Sequence, residues 1–412
     1  MAIRVNHVIN VFYFIVLYIF IYSPQLQFLN FGVGKLLWFF TFIYFIYNRK
    51  KITLLNLFKN ELLIFSILIV YTLFITIWGG INSLKFAYLH LQFVLDCIVV
   101  PIFIYCFFNN NVDIRKISNH IINVGLIASF ITIFLIINSD FNFYLRDHVI
   151  IDDLDGGTVQ ESLRKIRGFS FADSSTFGYG ITQGLIIGLA LFESKFSKKY
   201  IFYLIPLLIS ILFNARVGFF IVIISFLFFV SRFLSLKTVI ISSLLFIIAF
   251  LLLYNSNISH SNSSTIEWGS SFVNETIDFF SGKKVESSTY TALINKLNVF
   301  PEDTFNFLFG EGHYIIGKGS DVGYINQIFV GGIFYLIFLL LIMFFLFYNF
   351  NSLTESTSLT LFFFISIIIV NIKGPAFLTS ISFWRVIMLI YVFSKLNNIK
   401  YLDYHINYKR YL

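Results

Sequence analysis

Residues 322–349 read VGYINQIFVGGIFYLIFLLLIMFFLFYN, without one Asp, Glu, Lys, Arg or His. A helix needs about 20 predominantly apolar residues to cross the hydrocarbon of a bilayer, so this stretch is long enough to span one. Comparable runs recur near 8–23, 32–48, 61–78, 86–108, 117–138, 174–192, 199–213, 217–232, 238–254, 356–373 and 376–394. Together they predict an all-α polytopic integral membrane protein of about 12 transmembrane helices, because helices satisfy every backbone polar group internally. The alternation is broken once, late, by a polar stretch from Tyr254 to Asp321. The expected organisation is therefore helices 1–9 over residues 1–254, with a smaller outer loop near 139–173. A large extracytoplasmic loop over 255–321 precedes spans ten to twelve over 322–394, and 395–412 forms a cytoplasmic tail.

Composition leads to the same class. Hydrophobic residues make up 58% of the 412 and charged ones 12%, too little polar surface to cover a soluble domain of this length. The 56 Phe and 23 Tyr give bulky spans, with Tyr suited to the membrane interface. A formal charge of +8 could point to nucleic acid. In a polytopic chain, however, basic residues gather first in cytoplasmic loops, so no nucleic-acid partner is expected. Cys97 and Cys106 fall in one apolar run and the large loop has no cysteine, so packing and hydrogen bonds must hold that loop together. The N-terminus lacks a small-residue cleavage pattern after its apolar run and reads as an uncleaved first span.

Orientation follows from charge. An even span count puts both termini on one side, together with Arg49/Lys50/Lys51, Arg115/Lys116, Lys195/Lys198/Lys199, Arg232/Lys237 and the basic C-terminal residues. By the positive-inside rule that side is cytoplasmic. Segments 139–173 and 255–321 then lie outside. Within the second, Glu267 to Phe280 and Ser288 to Phe300 have the apolar spacing of short amphipathic helices. No internal repeat is visible, which argues against a transporter.

Four cations break the charge rule by lying close to the outer face: Arg167, Arg216, Lys373 and Arg385. A cation near or inside a bilayer is expensive and usually has an anionic partner. The planar arginine fork matches phosphate oxygens, so several converging at the outer leaflet suit a lipid diphosphate headgroup. Each alone could instead snorkel to ordinary lipid phosphates, or pair with Asp96 or Asp173. A second constellation is Gly310-Glu311-Gly312-His313, followed by Asp321, Gly323-Tyr324-Ile325-Asn326-Gln327 and Gly331-Gly332. Glycines allow tight turns and close approach, and His313, Asp321 and Glu311 can each take a proton from a hydroxyl. The same pattern fits an ordinary loop-to-helix junction with Asp321 as a cap. His90, Asp96 and His120, within spans, read as packing or helix-pairing residues. Asp152, Asp153 and Asp155 beside Gly156-Gly157 read as a solvated turn rather than a metal site. Neither a metal nor a cofactor is expected.

Three segments taken together resemble the bacterial O-antigen polymerase and O-antigen ligase superfamily. They are Arg167-Gly168-Phe169 with Asp173-Ser174, then Asn214-Ala215-Arg216-Val217-Gly218, and finally Gly310 to His313 continuing through Asp321-Val322-Gly323-Tyr324 to Gly331-Gly332. Ser174-Ser175 stand where that family often has Pro-Asn, and Ala215 and Val217 depart from its Ser-Arg-Gly turn. The resemblance implies a glycosyltransferase in the bacterial cytoplasmic (inner) membrane with its active site facing the periplasm or exterior. It implies undecaprenyl-diphosphate-linked oligosaccharides as donor and acceptor, the lipid bilayer as surroundings, and room for a chain-length regulator as a further partner. On this reading Arg167 and Arg216, supported by Lys373 and Arg385, hold the diphosphate. His313, Asp321 or Glu311 is the catalytic base. A ligase of the same superfamily and a lipid-linked oligosaccharide flippase are the competing expectations.

Overall fold

The computed structural model describes residues 2–29, 31–79, 84–108, 114–149, 170–172, 177–214, 217–233, 240, 299–312, 322–379 and 381–410. It is mostly helical. In chain order the helices are α1 (Ala2–Tyr22), α2 (Gly34–Tyr47), α3 (Arg49–Trp78), α4 (Lys85–Phe107), α5 (Ile114–Ile137), α6 (Ser139–His148), α7 (Phe177–Glu193), α8 (Lys199–Leu212), α9 (Val217–Phe233), α10 (Thr304–Phe309), α11 (Gly323–Thr354), α12 (Thr357–Lys373) and α13 (Ser382–Arg410). The only paired strands among the described residues are Gln25–Leu26 and Phe31–Gly32, antiparallel, with Gln25 opposite Gly32.

Among the described residues, α3, α4, α5 and α11 are long and apolar enough to cross a membrane. Other apolar helices are shorter. Helix α8, with 14 residues, rises only about 21 Å against a hydrocarbon thickness of about 30 Å. All of the expected ninth span, 238–254, except Ile240, and most of the 255–321 loop lie outside the described residues. Two local expectations change. Part of the 139–173 loop is helical, as α6. The last apolar run, expected to be a helix from 376, enters its helix only at Ser382 and stays helical to Arg410, through most of the expected tail. Pro375 follows Gly374 there, and the Asn371 side chain accepts hydrogen bonds from the backbone N–H groups of Ala376 and Phe377, holding that chain in a turn rather than a helix.

The chain divides into two compact units. The first draws on Met1–Phe39, Ile114–Lys283 and Ile381–Val386. Its axis is α7, nearly every residue of which is buried, as expected of a helix apolar on all sides. Helices α5, α8 and α9 pack around it. Gly218 on α9 permits the closest approach: a Cβ there would sit 2.3 Å from the Gly180 carbonyl oxygen of α7. Polar side chains then bond across helices, Tyr179 to Thr132 at 2.8 Å, Ser129 to Ser210 at 3.1 Å and Thr182 to Ser382 at 2.8 Å.

The second unit draws on Phe40–Asp113, Lys284–Ser380 and Ile387–Leu412. Here α3 packs on α4 and α11, while α11 also packs on α10 and α12. On α3, Phe65, Leu68, Thr72 and Ile75 turn inward, whereas Leu63, Ile67, Val70, Phe74 and Ile77 form an exposed stripe. Phe334, Ile337, Leu341 and Phe344 do the same on α11. Apolar stripes of this length on the outside of a bundle are accommodated by hydrocarbon rather than by water. Within α4 the backbone widens to a π turn over Leu95–Val99, just ahead of Pro101. That extra residue relieves the clash a proline ring makes with the preceding helical turn. Elsewhere in the unit, Glu61, fully buried, is held by the Lys395 ammonium at 2.5 Å and the Tyr391 hydroxyl.

Candidate functional site

The second unit contains a helix broken in mid-course. Helix α11 runs from Gly323 but departs from helical geometry at Gly332, with φ 77° and ψ 177°, a conformation essentially reserved for glycine. An unbroken helix would use the N–H groups of Ile333 and Phe334 to satisfy the carbonyls of Phe329 and Val330. Here the backbone N–H groups of Glu311 and Gly312 take over, at 2.8 and 2.9 Å. The next carbonyl, Gly331, accepts from the Tyr71 hydroxyl of α3 at 2.8 Å. Thus residues 310–312 cap the short part of α11 that precedes the break, which leaves no stretch of backbone unpaired at these three positions.

Local sequence explains this geometry. Asp303 caps α10, its carboxylate accepting from the Asn306 N–H at 3.0 Å. Gly310 then ends α10 with φ 80°, and a Cβ at Gly310 would fall 2.5 Å from the Gly331 nitrogen. Gly310 and Gly332 therefore serve backbone-to-backbone contact, where the sequence suggested approach to a ligand.

Beside the break lies a small, mainly apolar cavity, lined by Leu89, Val330, Pro375, Phe377 and Leu378 together with His90, Asn326, Gln327, Tyr335 and Thr379. Its volume is about 20 Å³. That exceeds the roughly 10–15 Å³ that one water requires. The walls are built by paired side chains. Gln327 and Asn371 exchange two amide hydrogen bonds at 3.1 Å each, linking α11 to α12. His90 Nε2 and the Tyr335 hydroxyl meet at 2.9 Å, linking α4 to α11. The Tyr335 ring lies parallel to that of Tyr71, 6.4 Å away, and edge-on to Phe86 at 5.1 Å. His90 is 2% exposed, and its Nδ1 has no hydrogen-bond partner. The unpartnered imidazole nitrogen can accept or donate one further hydrogen bond, depending on the tautomer.

The residues expected to act divide as follows. Glu311 is half-buried, and its backbone caps α11. Lys373 is half-buried in the last turn of α12, where the helix dipole favours a cation. Both belong to the second unit. Arg385 belongs to the first, in the opening turn of α13, 4% exposed, and its Nη1 donates to the Ile21 carbonyl at 3.3 Å. His313, Asp321, Arg167 and Arg216 lie outside the described residues. His90 has the helix-pairing role its place in a span suggested and in addition lines the cavity. His120 packs edge-on against the Tyr13 and Phe14 rings, and buried Asp96 lies 3.5 Å from the Gln92 amide. Tyr335, Tyr71 and Asn371 carried no sequence signal, since each is a single polar group in an apolar run. Asn326-Gln327 ahead of Gly331-Gly332 was the visible clue. Among the described residues no three His, Cys, Asp or Glu side chains are grouped to hold a metal ion. No family model, curated protein or solved structure matches the chain.

Proposed function

We propose that the protein is a surface-polysaccharide polymerase of the O-antigen type, with twelve membrane crossings and residues 255–321 outside. It joins undecaprenyl-diphosphate-linked repeat units on the outer face of the cytoplasmic membrane. The observation that carries the reading is Arg385, a guanidinium 4% exposed among apolar helices at the positive end of α13. An ionisable side chain buried in a membrane-spanning chain is expensive to keep and is by default a candidate functional group. A lipid diphosphate is an anion whose oxygens fit such a fork. The order of the motifs around Arg167, Arg216 and Gly310 to Gly332 supplies the rest of the support.

The chemistry follows from the residues. As the anomeric bond of the donor breaks, negative charge grows on the departing diphosphate. Arg167, Arg216, Lys373 and Arg385 stabilise it by fixed charge in a low-dielectric site. The attacking sugar hydroxyl of the next lipid-linked unit loses its proton to His313, Asp321 or Glu311, a step contributing about 10²- to 10⁴-fold. Proteoliposomes supplied with synthetic lipid-linked repeat units test this: longer glycan on the carrier together with free undecaprenyl diphosphate is expected. Unchanged single units in the presence of active protein would reject it. A ligase of the same superfamily would instead move glycan only when a non-carrier acceptor is added.

One observation favours a second reading, a lipid-linked oligosaccharide flippase. Helices broken near mid-course recur in transporters, where the half-helix ends meet the substrate, and α11 is broken at Gly332. In the same proteoliposomes a flippase would move the lipid-linked unit between leaflets without changing its size.

A further inference from the structure

The apolar stripes on the second unit do not end at the ends of their helices. The α3 stripe of Leu63, Ile67, Val70, Phe74 and Ile77 terminates in Trp78, which is 65% exposed. The Trp78 ring lies 5.9 Å from that of Phe305 on α10, and the rings of Phe305 and Phe309 lie 5.0 Å apart. Phe309 in turn is 5.4 Å from Phe334, where the exposed stripe of α11 begins. Two apolar stripes from different helices therefore converge on one short helix through a chain of aromatic rings. None of the residues of α10 is buried, and Phe305 is 41% exposed. The preceding residues carry the opposite character: Glu302, Asp303 and Thr304 are all exposed.

We infer that residues 299–312 form an interfacial anchor that lies in the headgroup-to-acyl boundary of the bilayer and holds the broken helix in place. The occupant of this aromatic face is lipid, because the face continues the outward stripes of α3 and α11 without interruption. Aromatic side chains at that depth keep an apolar body in hydrocarbon and a wet edge outside. Glu302 and Asp303 mark the side that faces water. The anchor has a mechanical consequence: the same segment delivers the Glu311 and Gly312 N–H groups to the freed carbonyls of α11, so its seating in the interface fixes the geometry of the break. This inference stands independently of the glycan chemistry.

The test is a quenching measurement on the full-length protein in phosphatidylethanolamine/phosphatidylglycerol vesicles. An environment-sensitive fluorophore is attached at Phe305→Cys, at Phe300→Cys or at Glu302→Cys, in a background with Cys97→Ala and Cys106→Ala. Each variant is first checked for monodisperse elution, and position 300 substitutes for 305 if the latter fails. The expected result is severalfold weaker quenching by aqueous iodide at 305 and 300 than at 302, together with stronger quenching by lipids carrying a shallow nitroxide. Equal iodide quenching at all three positions would place the segment in water and overturn the inference. Protection from both quenchers would mean that protein covers the face, which also overturns it. Loss of nitroxide quenching on adding polyprenyl phosphate would assign the face to an isoprenoid chain instead of the bilayer.

Discussion

Replacing Gly332 by Ala tests the broken helix at its tightest point. A Cβ there would lie 2.1 Å from the Leu308 carbonyl oxygen, 2.3 Å from its carbon and 2.4 Å from the Phe309 nitrogen. These are backbone atoms, so no rotamer change relieves the overlap. The φ of 77° adds strain of about 1–3 kcal/mol for a residue with a side chain. Expelling residues 308–312 to remove the clash would break the two bonds to Phe329 and Val330, each unpaired group costing about 1–3 kcal/mol. The combined penalty of roughly 3–9 kcal/mol is comparable to the whole stability of a typical domain, about 5–15 kcal/mol. Gly125→Ala is the reference, since its Cβ would meet side-chain atoms rather than backbone: Ile186 Cδ1 at 2.7 Å and Cγ2 at 2.8 Å, and Gln183 Oε1 at 3.4 Å. That overpacking costs about 1–3 kcal/mol. Thermal unfolding in detergent, followed by fluorescence-detected size exclusion, should show a much larger loss for Gly332→Ala than for Gly125→Ala. Equal melting temperatures for the two variants would refute the geometry of the break.

Three other perturbations have definite expected outcomes. Tyr335→Phe leaves His90 Nε2 without its partner and should cost about 0.6–2 kcal/mol, read from unfolding in mixed micelles; a wild-type curve would remove the His90 pair from the account. Asn371→Leu removes the acceptor of three hydrogen bonds, from Gln327, Ala376 and Phe377, and should destabilise by several times more than Tyr335→Phe in the same assay. Lys395→Met leaves the Glu61 carboxylate buried without its cation and should cost about 3–5 kcal/mol, whereas Glu61→Gln combined with Lys395→Met should recover most of that loss. A double variant as unstable as the single one would contradict the ion-pair argument.

Much of this fold was legible because long apolar runs have few alternatives: every expected span that the structure describes contains a helix, except that only Ile240 of the ninth is described. Boundaries were less legible. The last helix starts at Ser382 because Pro375 and the side chain of Asn371 shape the preceding turn, and a hydropathy pattern registers neither effect. The break at Gly332 was hidden for a related reason. Gly331-Gly332 sits inside an apolar run, and only the arrival of residues 310–312 from before the span makes a break affordable. The paired strands at Gln25–Leu26 and Phe31–Gly32 are too short for alternation to reveal. At the candidate site the long-range partners were out of reach, since His90 and Tyr335 are 245 residues apart. Glu311 and Lys373 carried visible charges, yet their placement also gives each a local task, one at the backbone cap and the other at a helix end. Of the two expected cations that are described, Arg385 is the more deeply buried.

The most direct test of the polymerase reading is to delete the gene in its host, re-express wild type or Arg216→Ala, and resolve the surface glycans by size. The account predicts a ladder that collapses to core plus one repeat unit, restored by wild type but not by Arg216→Ala at equal membrane level. A full ladder from the Arg216→Ala protein would contradict the arginine site, and complete loss of surface glycan on deletion would contradict the polymerase itself.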